Sequence, residues 1–290
     1  MNGAESHEDT NILLETQSAM LPDDATERKF DLAMLSDVGT KRSGNEDSFG
    51  HFVENDDSVL FVVCDGVGGY EGGEVASALA VETTIQAYRD SNPAWGPAKR
   101  LHRAVQQANI EIHNKALTVP ELRAMATTLT AAVVEKGILS AAHVGDCRLY
   151  LARHHKITQI TKDHTAVGER VRMGLLSAEA ARTHPERSLI LRSLGRDLIV
   201  SVDRISMPLI KGDRLILCSD GLHGVLESHE LEYATREVDP ETACRRMIEE
   251  ANSRGTPDNL TCAIFRMNAD TGHVPTDGGF FERLRGWFGR

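Results

Sequence analysis

Long apolar runs are missing from this 290-residue chain: nothing approaches the roughly 20 consecutive apolar residues a membrane-spanning helix requires. A basic surplus is missing as well. Thirty-two Lys and Arg stand against 43 Asp and Glu, and the formal net charge of −11 argues against nucleic acid as the main partner. Cysteine is scarce: Cys64, Cys147, Cys218, Cys244 and Cys262 form no CxxC pair, so the spacing of a structural zinc site is absent. An odd number of thiols, most of them in or beside apolar strands, reads as reduced core residues in a cytoplasm. Residues 1–29 hold no apolar h-region, which excludes a secretory signal there. The glycines after Gly66 fail as a nucleotide loop, because Glu71 occupies the last glycine position of G-x-G-x-x-G and no Gly-Lys-Ser/Thr follows. They are expected instead to carry the chain into a helix starting near Glu74.

What is present is a dense apolar pattern from about residue 31 to 267, read as one domain. Ala78, Val81, Ile85 and Tyr88 recur at helical spacing within 75–90, and Pro97 opens a second helix with Leu101, Val105, Ala108 and Ile112 on one face. Two helices in succession argue against alternating βαβ units. Strands are expected at 59–64, 127–134, 138–144, 147–152, 199–205, 214–218 and 259–267, with helices at 228–236 and 240–253. Strands grouped apart from helix pairs predict an α+β fold of two antiparallel sheets flanked by helices. Residues 162–194 differ: short helical pieces at 165–173 and 178–182, broken by Gly174 and Pro185 and rich in arginine, predict a surface flap. Residues 1–30 read as a disordered acidic extension. Residues 268–290 read as a flexible tether ending in an amphipathic helix, with Phe280, Phe281, Leu284, Trp287 and Phe288 on one face. That face suits a membrane surface, a partner groove or its own domain.

Four acid-bearing segments concentrate the chemistry: Asn45-Glu46-Asp47, Cys64-Asp65-Gly66, Cys218-Ser219-Asp220-Gly221 and Pro257-Asp258-Asn259. In the last three the carboxylate stands where an apolar strand meets a turn. Buried acids so placed repel one another unless cations neutralise them. Oxygen ligands from separate strands suit Mg²⁺ or Mn²⁺ rather than zinc, which predicts a metal-dependent hydrolase.

The order of motifs is distinctive. Arg42-Ser-Gly-Asn-Glu-Asp47 is followed by Asp65-Gly66-Val67-Gly68-Gly69, Ala126-Thr127-Thr128-Leu129, Gly145-Asp146-Cys147-Arg148 and Lys162-Asp163-His164. Gly212-Asp213-Arg214-Leu215, Ser219-Asp220-Gly221-Leu222 and Pro257-Asp258-Asn259 complete it. Together, over residues 31–267, these resemble the bacterial branch of the PP2C-type (PPM) metal-dependent serine/threonine protein phosphatases. The resemblance implies a four-layer αββα sandwich and hydrolysis of phosphoserine or phosphothreonine by attack of a metal-bridging hydroxide, without a covalent phosphoenzyme. It implies two Mn²⁺ or Mg²⁺ ions and a third, weaker position. Asp65 would bridge the two ions and the Gly66 carbonyl would complete one of them. Asp220 and Asp258 would hold the first, and Asp47 would hold the second or lie just outside its ligands, with Glu46 and Asn259 beside it. Asp146 with Asp220 would offer the third position, and Arg42 would bind the substrate phosphate through its two-pronged guanidinium.

The resemblance further implies phosphorylated protein substrates, including a Ser/Thr kinase that the enzyme opposes in signal transduction. The enzyme is expected to be a cytoplasmic monomer, membrane-associated only if 280–290 serves as a peripheral contact. Val67 stands where eukaryotic members carry a histidine acid, so His164, His184 and His223 are the candidates for that role. Asp163 is expected to cap a helix and Asp213 to close a turn, both structural. A rival reading is a scaffold that binds phosphoproteins without turnover.

Overall fold

Val59–Cys64 is apolar on both of its faces, and such a strand must be covered on both sides. In the computed structural model, which describes residues 29–67, 71–236 and 238–272, it is the middle of a buried strand. The chain begins with β1 (Phe30–Asp37), β2 (Asp47–Asn55) and β3 (Ser58–Val67), then α1 (Glu71–Arg89) and α2 (Pro97–Thr118). β4 (Ala126–Thr127), β5 (Leu129–Glu135), β6 (Ile138–Val144), β7 (Arg148–Arg153) and β8 (Lys156–Gln159) follow. The flap carries α3 (Ala166–Arg172) and α4 (Ala178–Arg182). After it come β9 (Asp203–Pro208), β10 (Arg214–Cys218), α5 (Asp220–His223), α6 (Ser228–Ala234), α7 (Pro240–Ser253) and β11 (Leu260–Met267).

Two antiparallel sheets result, one in the order β1-β11-β10-β7-β8 and the other β2-β3-β5-β6-β9, with β4 on the end of β3. Strand periodicity then sorts the side chains. Phe61 and Val63 face Leu215, Leu217 and Phe265 in the layer between the sheets. Leu60, Val62 and Cys64 face α1 and α2, which bury Ala76, Ala80, Leu101, Val105 and Ile112. On the far side Ile216, Cys218 and Ile264 pack against Cys244, Met247 and Ile248 of α7. This is the αββα sandwich expected, with all five cysteines buried and unbonded to one another. Among the described residues no helix is long and apolar enough to cross a membrane.

Several boundaries differ from expectation. No strand was read at β1 or β2. β2 is an edge strand whose polar sequence hides its role, and Gly50 within it gives α1 room: a Cβ there would lie 2.7 Å from Val81. The strand expected at 199–205 forms at Asp203–Pro208, because the preceding loop is pinned by α2 through Gln106 to the Val200 carbonyl and Asn109 to those of Asp197 and Leu198. α1 starts at Glu71 rather than near Glu74. Asp163 does not cap α3. Thr165 does, accepting from Gly168 N–H, while Asp163 takes a fork from Arg148 at 2.7 and 3.0 Å. Asp213 is structural, and beyond closing a turn it forms a buried pair with Arg153 at 2.6 Å. Gly68, Gly69, residues 1–28 of the acidic extension and the amphipathic 280–290 segment lie outside the described residues.

Phe265 sits at the centre of the inter-sheet layer, fully buried, with ring centroids 5.6 Å from Phe30 and 6.0 Å from Phe61. Phe265→Ala is expected to lower stability by about 3–5 kcal/mol in urea unfolding. A loss under about 1 kcal/mol would mean the sheets can close over the void.

Candidate active site

The site forms at one rim of the sandwich, where strand ends of the two sheets come together. β2 and β3 pair so that Asp47 stands directly opposite Asp65, and cross-strand neighbours in such a pair lie only about 5 Å apart at Cβ. From the other sheet, β10 runs into Ser219 and Asp220 at the head of α5, and β11 is entered through Asp258 and Asn259. Asp146 arrives on the turn between β6 and β7, which Gly145 makes with φ +107°. A Cβ on Gly145 would lie 2.4 Å from Thr128, so that turn requires glycine.

Charge shows that the five acids share one field. Burial, then repulsion from Asp47, Asp220, Asp146 and Asp258, holds the Asp65 carboxyl well above the usual range. Burial and Asp258 raise Asp220 to about 6, against the pull of Asp65, which hydrogen-bonds it. Burial raises Asp47 to about 7, although Ser219 and Thr261 donate to it. Burial and Asp220 lift Asp146 likewise. Asp146 is 5% exposed and its Oδ1 has no hydrogen-bond partner. Among the described residues no three of these side chains already close into a cage around one ion. Asp258 is turned instead to Arg42, 2.9 Å away. The donor set nevertheless fits hard divalent cations: oxygen only, multiply anionic, and costly to ionise without positive charge.

Hydrogen bonds set the acids in place. Ser219 Oγ donates to Asp47 at 2.7 Å and accepts Thr261 N–H at 3.0 Å. Asn259 binds three ways: its side chain accepts Glu46 N–H at 2.9 Å and donates to the Val38 and Gly44 carbonyls at 2.8 and 2.9 Å. It thereby spans the loop that carries Arg42. Thr128 N–H and Thr127 Oγ–H both donate to the Asp65 carbonyl at 2.8 Å. Gly66 fits because a Cβ would strike the Gly73 carbonyl at 2.2 Å, and Gly66 N–H donates to the Glu46 carbonyl. Glu46 is part-buried, its carboxyl raised mainly by burial. Thus Arg42, Glu46, Asp47, Asp65, Gly66, Asp220, Asp258 and Asn259 are tied together by pairing, hydrogen bonds and charge, and Asp146 joins them through Asp220. Sequence reading assigned no role to Ser219, Thr261, Thr127 or Thr128. Their signal was a hydroxyl inside or beside an otherwise apolar strand.

The three candidate histidines each hold other partners. His164 is 2% exposed and its Nδ1 accepts Gly145 N–H. His223 is buried, pushed down to about 3 by burial and then by Arg148, and its Nε2 lies 2.9 Å from the Asp146 carbonyl. His184 lies within the flap, where its Nδ1 accepts Glu186 N–H at 3.1 Å. A thiol nucleophile fails too. Cys147 and Arg153 have Cys-x5-Arg spacing, but on an extended strand that separates them by about 20 Å. Burial holds the Cys147 thiol well above its ordinary range, and Arg153 is committed to Asp213.

Between the acids and the flap lies a cavity of about 740 Å³, bounded by Asp146, Asp220 and Asp258 on one side and Arg172, Arg182 and Arg187 on the other.

The family profile described as protein phosphatase 2C matches residues 40–263. The chain is similar to the serine/threonine phosphatase stp of Listeria monocytogenes, 35% identical over 235 residues, covering 79% of this chain and 92% of that protein. It is similar in structure to the Mycobacterium tuberculosis serine/threonine phosphatase PstP/Ppp, with TM-score 0.75 and 35% identity over 83% of this chain and 99% of that one. A structure of the PstP catalytic domain in complex with two manganese ions matches with TM-score 0.73 and 33% identity, again over 83% and 99%.

Asp47 supplies a pH test with a definite sign. Its carboxyl rises from 3.8 to about 7 on folding, so the metal-free native state keeps a proton that the unfolded chain releases. Its contribution to stability is therefore lost as pH rises from about 4 to about 7. In chelator, Asp47→Asn should gain melting temperature relative to wild type across that window. An advantage that shrinks with rising pH would mean Ser219 and Thr261 hold Asp47 ionised.

Proposed function

The chain belongs to the protein phosphatase 2C family, and from that premise we propose that Arg42, Asp65, Asp220 and Asp258 hydrolyse phosphoserine and phosphothreonine on proteins. The enzyme is a metal-dependent protein serine/threonine phosphatase. The observation that carries the assignment of residues is the shared field of Asp47, Asp65, Asp146, Asp220 and Asp258 at one rim of the sandwich.

When bound, a pair of Mn²⁺ or Mg²⁺ ions supplies an acidified water as nucleophile and neutralises charge on the phosphoryl oxygens. The protein's own residues arrange the rest. Asp65, Asp220 and Asp258 hold the ions, with the Gly66 carbonyl as a further ligand, and their mutual repulsion is relieved as they do so. Asp47 is held by Ser219 and, as the cross-strand partner of Asp65, lies on the same face of its sheet. Asp146 with Asp220 holds a third ion on the flap side. Arg42 stands at the lip, half-exposed, held by Asp258, where its fork can take two phosphate oxygens and steady the charge that builds in the transition state. Asn259 keeps that loop in register. The cavity under the flap leaves room for the residues flanking the phosphorylated side chain. With His164, His184 and His223 all engaged elsewhere, the leaving oxygen takes its proton from solvent. Substrates include a Ser/Thr kinase that the enzyme opposes.

Turnover of a phosphothreonine peptide in Mn²⁺ tests the assignment. Asp65→Asn and Asp220→Asn should each fall to the rate of chelated wild type while keeping the native circular-dichroism spectrum. Arg42→Ala should lose about 10- to 100-fold in kcat/KM, mostly through KM, the worth of one charge-assisted hydrogen-bonding group. Wild-type turnover in both aspartate variants would remove the proposed centre.

A further inference from the structure

His164 stands at the root of the flap. Its backbone N–H donates to the Gly145 carbonyl at 2.7 Å, and its carbonyl accepts Leu191 N–H at 2.7 Å, so it joins the outgoing and returning limbs. The neighbouring bridge between Thr165 and Ile190 continues that seam. Its side chain points the other way, into the protein. Nδ1 accepts Gly145 N–H at 3.0 Å, which places the ring proton on Nε2. Nε2 lies 3.2 Å from Asp203 Oδ2, close enough to pair though out of line for a well-directed hydrogen bond. Asp203 is itself anchored by Arg192 at 2.8 Å, on the returning limb of the flap. The ring of His143 covers one face at 4.7 Å.

Gly145 thus gives both of its backbone polar groups to His164, and the next residue is Asp146. That carboxylate lines the cavity beside Asp220 with one buried oxygen left unpaired. Its direction is set by a turn that needs glycine, with φ +107° and Thr128 2.4 Å from where a Cβ would stand. Whatever moves the imidazole moves the turn, and the same imidazole holds the flap.

We propose that His164 is a positioning residue: by accepting the Gly145 amide at Nδ1, with Asp203 and Arg192 behind it, it aims Asp146 at a third divalent ion and ties that ion's binding to the seating of the flap. Partners that orient a ligand in this way commonly govern affinity without touching the ion. The inference rests on the reading of Asp146 as an ion ligand.

Three variants of the full chain separate the two statements, read by calorimetric Mn²⁺ titration and by peptide kinetics. Asp146→Asn should lose the weakest Mn²⁺ step and keep the two tight ones. A wild-type titration for this variant would remove the reading of Asp146, and the inference with it. His164→Gln places a donor near Asp203 but no acceptor at Nδ1. It should raise the Kd of the weakest Mn²⁺ by about tenfold or more and raise KM for peptide more than it lowers kcat. His164→Asn keeps an acceptor at the Nδ1 position, and it should stay within about threefold of wild type in that Kd. A weakest-ion Kd unchanged in His164→Gln, with that step lost in Asp146→Asn as expected, overturns the role of His164 alone. Loss of that ion in folded His164→Asn overturns it equally. Should His164→Gln fail to fold, His164→Ala, which also removes the Nδ1 acceptor, replaces it and is held to the same outcomes.

Discussion

Repulsion among carboxylates is the constraint around which this molecule is organised. Five aspartates from two sheets converge at one rim, and four of them are buried deeply enough that ionising any one penalises its neighbours. A cluster of this kind costs folding free energy, and only a scaffold with a large apolar interior tolerates it. The layers beneath the site supply that interior: Phe61 and Phe265 between the sheets, α1 and α2 on one face and α7 on the other.

The same constraint explains the polar residues around the acids. Ser219, Thr261, Ser36 and Asn45 form a connected set of hydroxyls and an amide beneath Asp47. Thr127 and Thr128 brace the strand bearing Asp65. These groups donate to carboxylate, carbonyl or hydroxyl oxygens and fix the placement of the acids. Glycine completes the work where backbones nearly touch: a Cβ at Gly221 would meet the Asn259 carbonyl at 2.0 Å. Rigid acids on strand ends are suited to a chemistry in which the ions neutralise and the protein mainly positions.

The flap stands in a different physical regime. Arg170 and Arg172 pair with Glu186 and Glu169 within it, Arg182 donates to the His223 and Gly224 carbonyls at 3.4 Å, and Arg192 pairs with Asp203 of β9. Leu175, Leu189, Leu191 and Met173 are exposed there. Few apolar contacts hold such a segment, so the polar fastenings at its root carry more of its placement than burial does.

Much of this was legible from residues in a row. Apolar runs marked β3, β6, β10 and β11, helical spacing marked α1 and α2, and the ordered acid motifs named the family and its candidate ligands, because local pattern and short-range chemistry suffice for those. β1 and β2 were missed, since an edge strand with Gly50 and His51 shows no alternation until its neighbours are known. Asp163 read as a helix cap, because nothing adjacent to it reveals Arg148, fifteen residues earlier on another strand. Nothing in the sequence chose among His164, His184 and His223 as candidate acids, for access depends on what surrounds a ring, and only folding brought Gly145 to His164 and the Asp146 carbonyl to His223. The sequence by itself therefore determined which atoms this protein has for its chemistry and the layers that carry them. The tertiary structure alone decided which polar atoms are spent on holding others in place, since hydrogen bonds and charge act across space between residues the chain order keeps far apart.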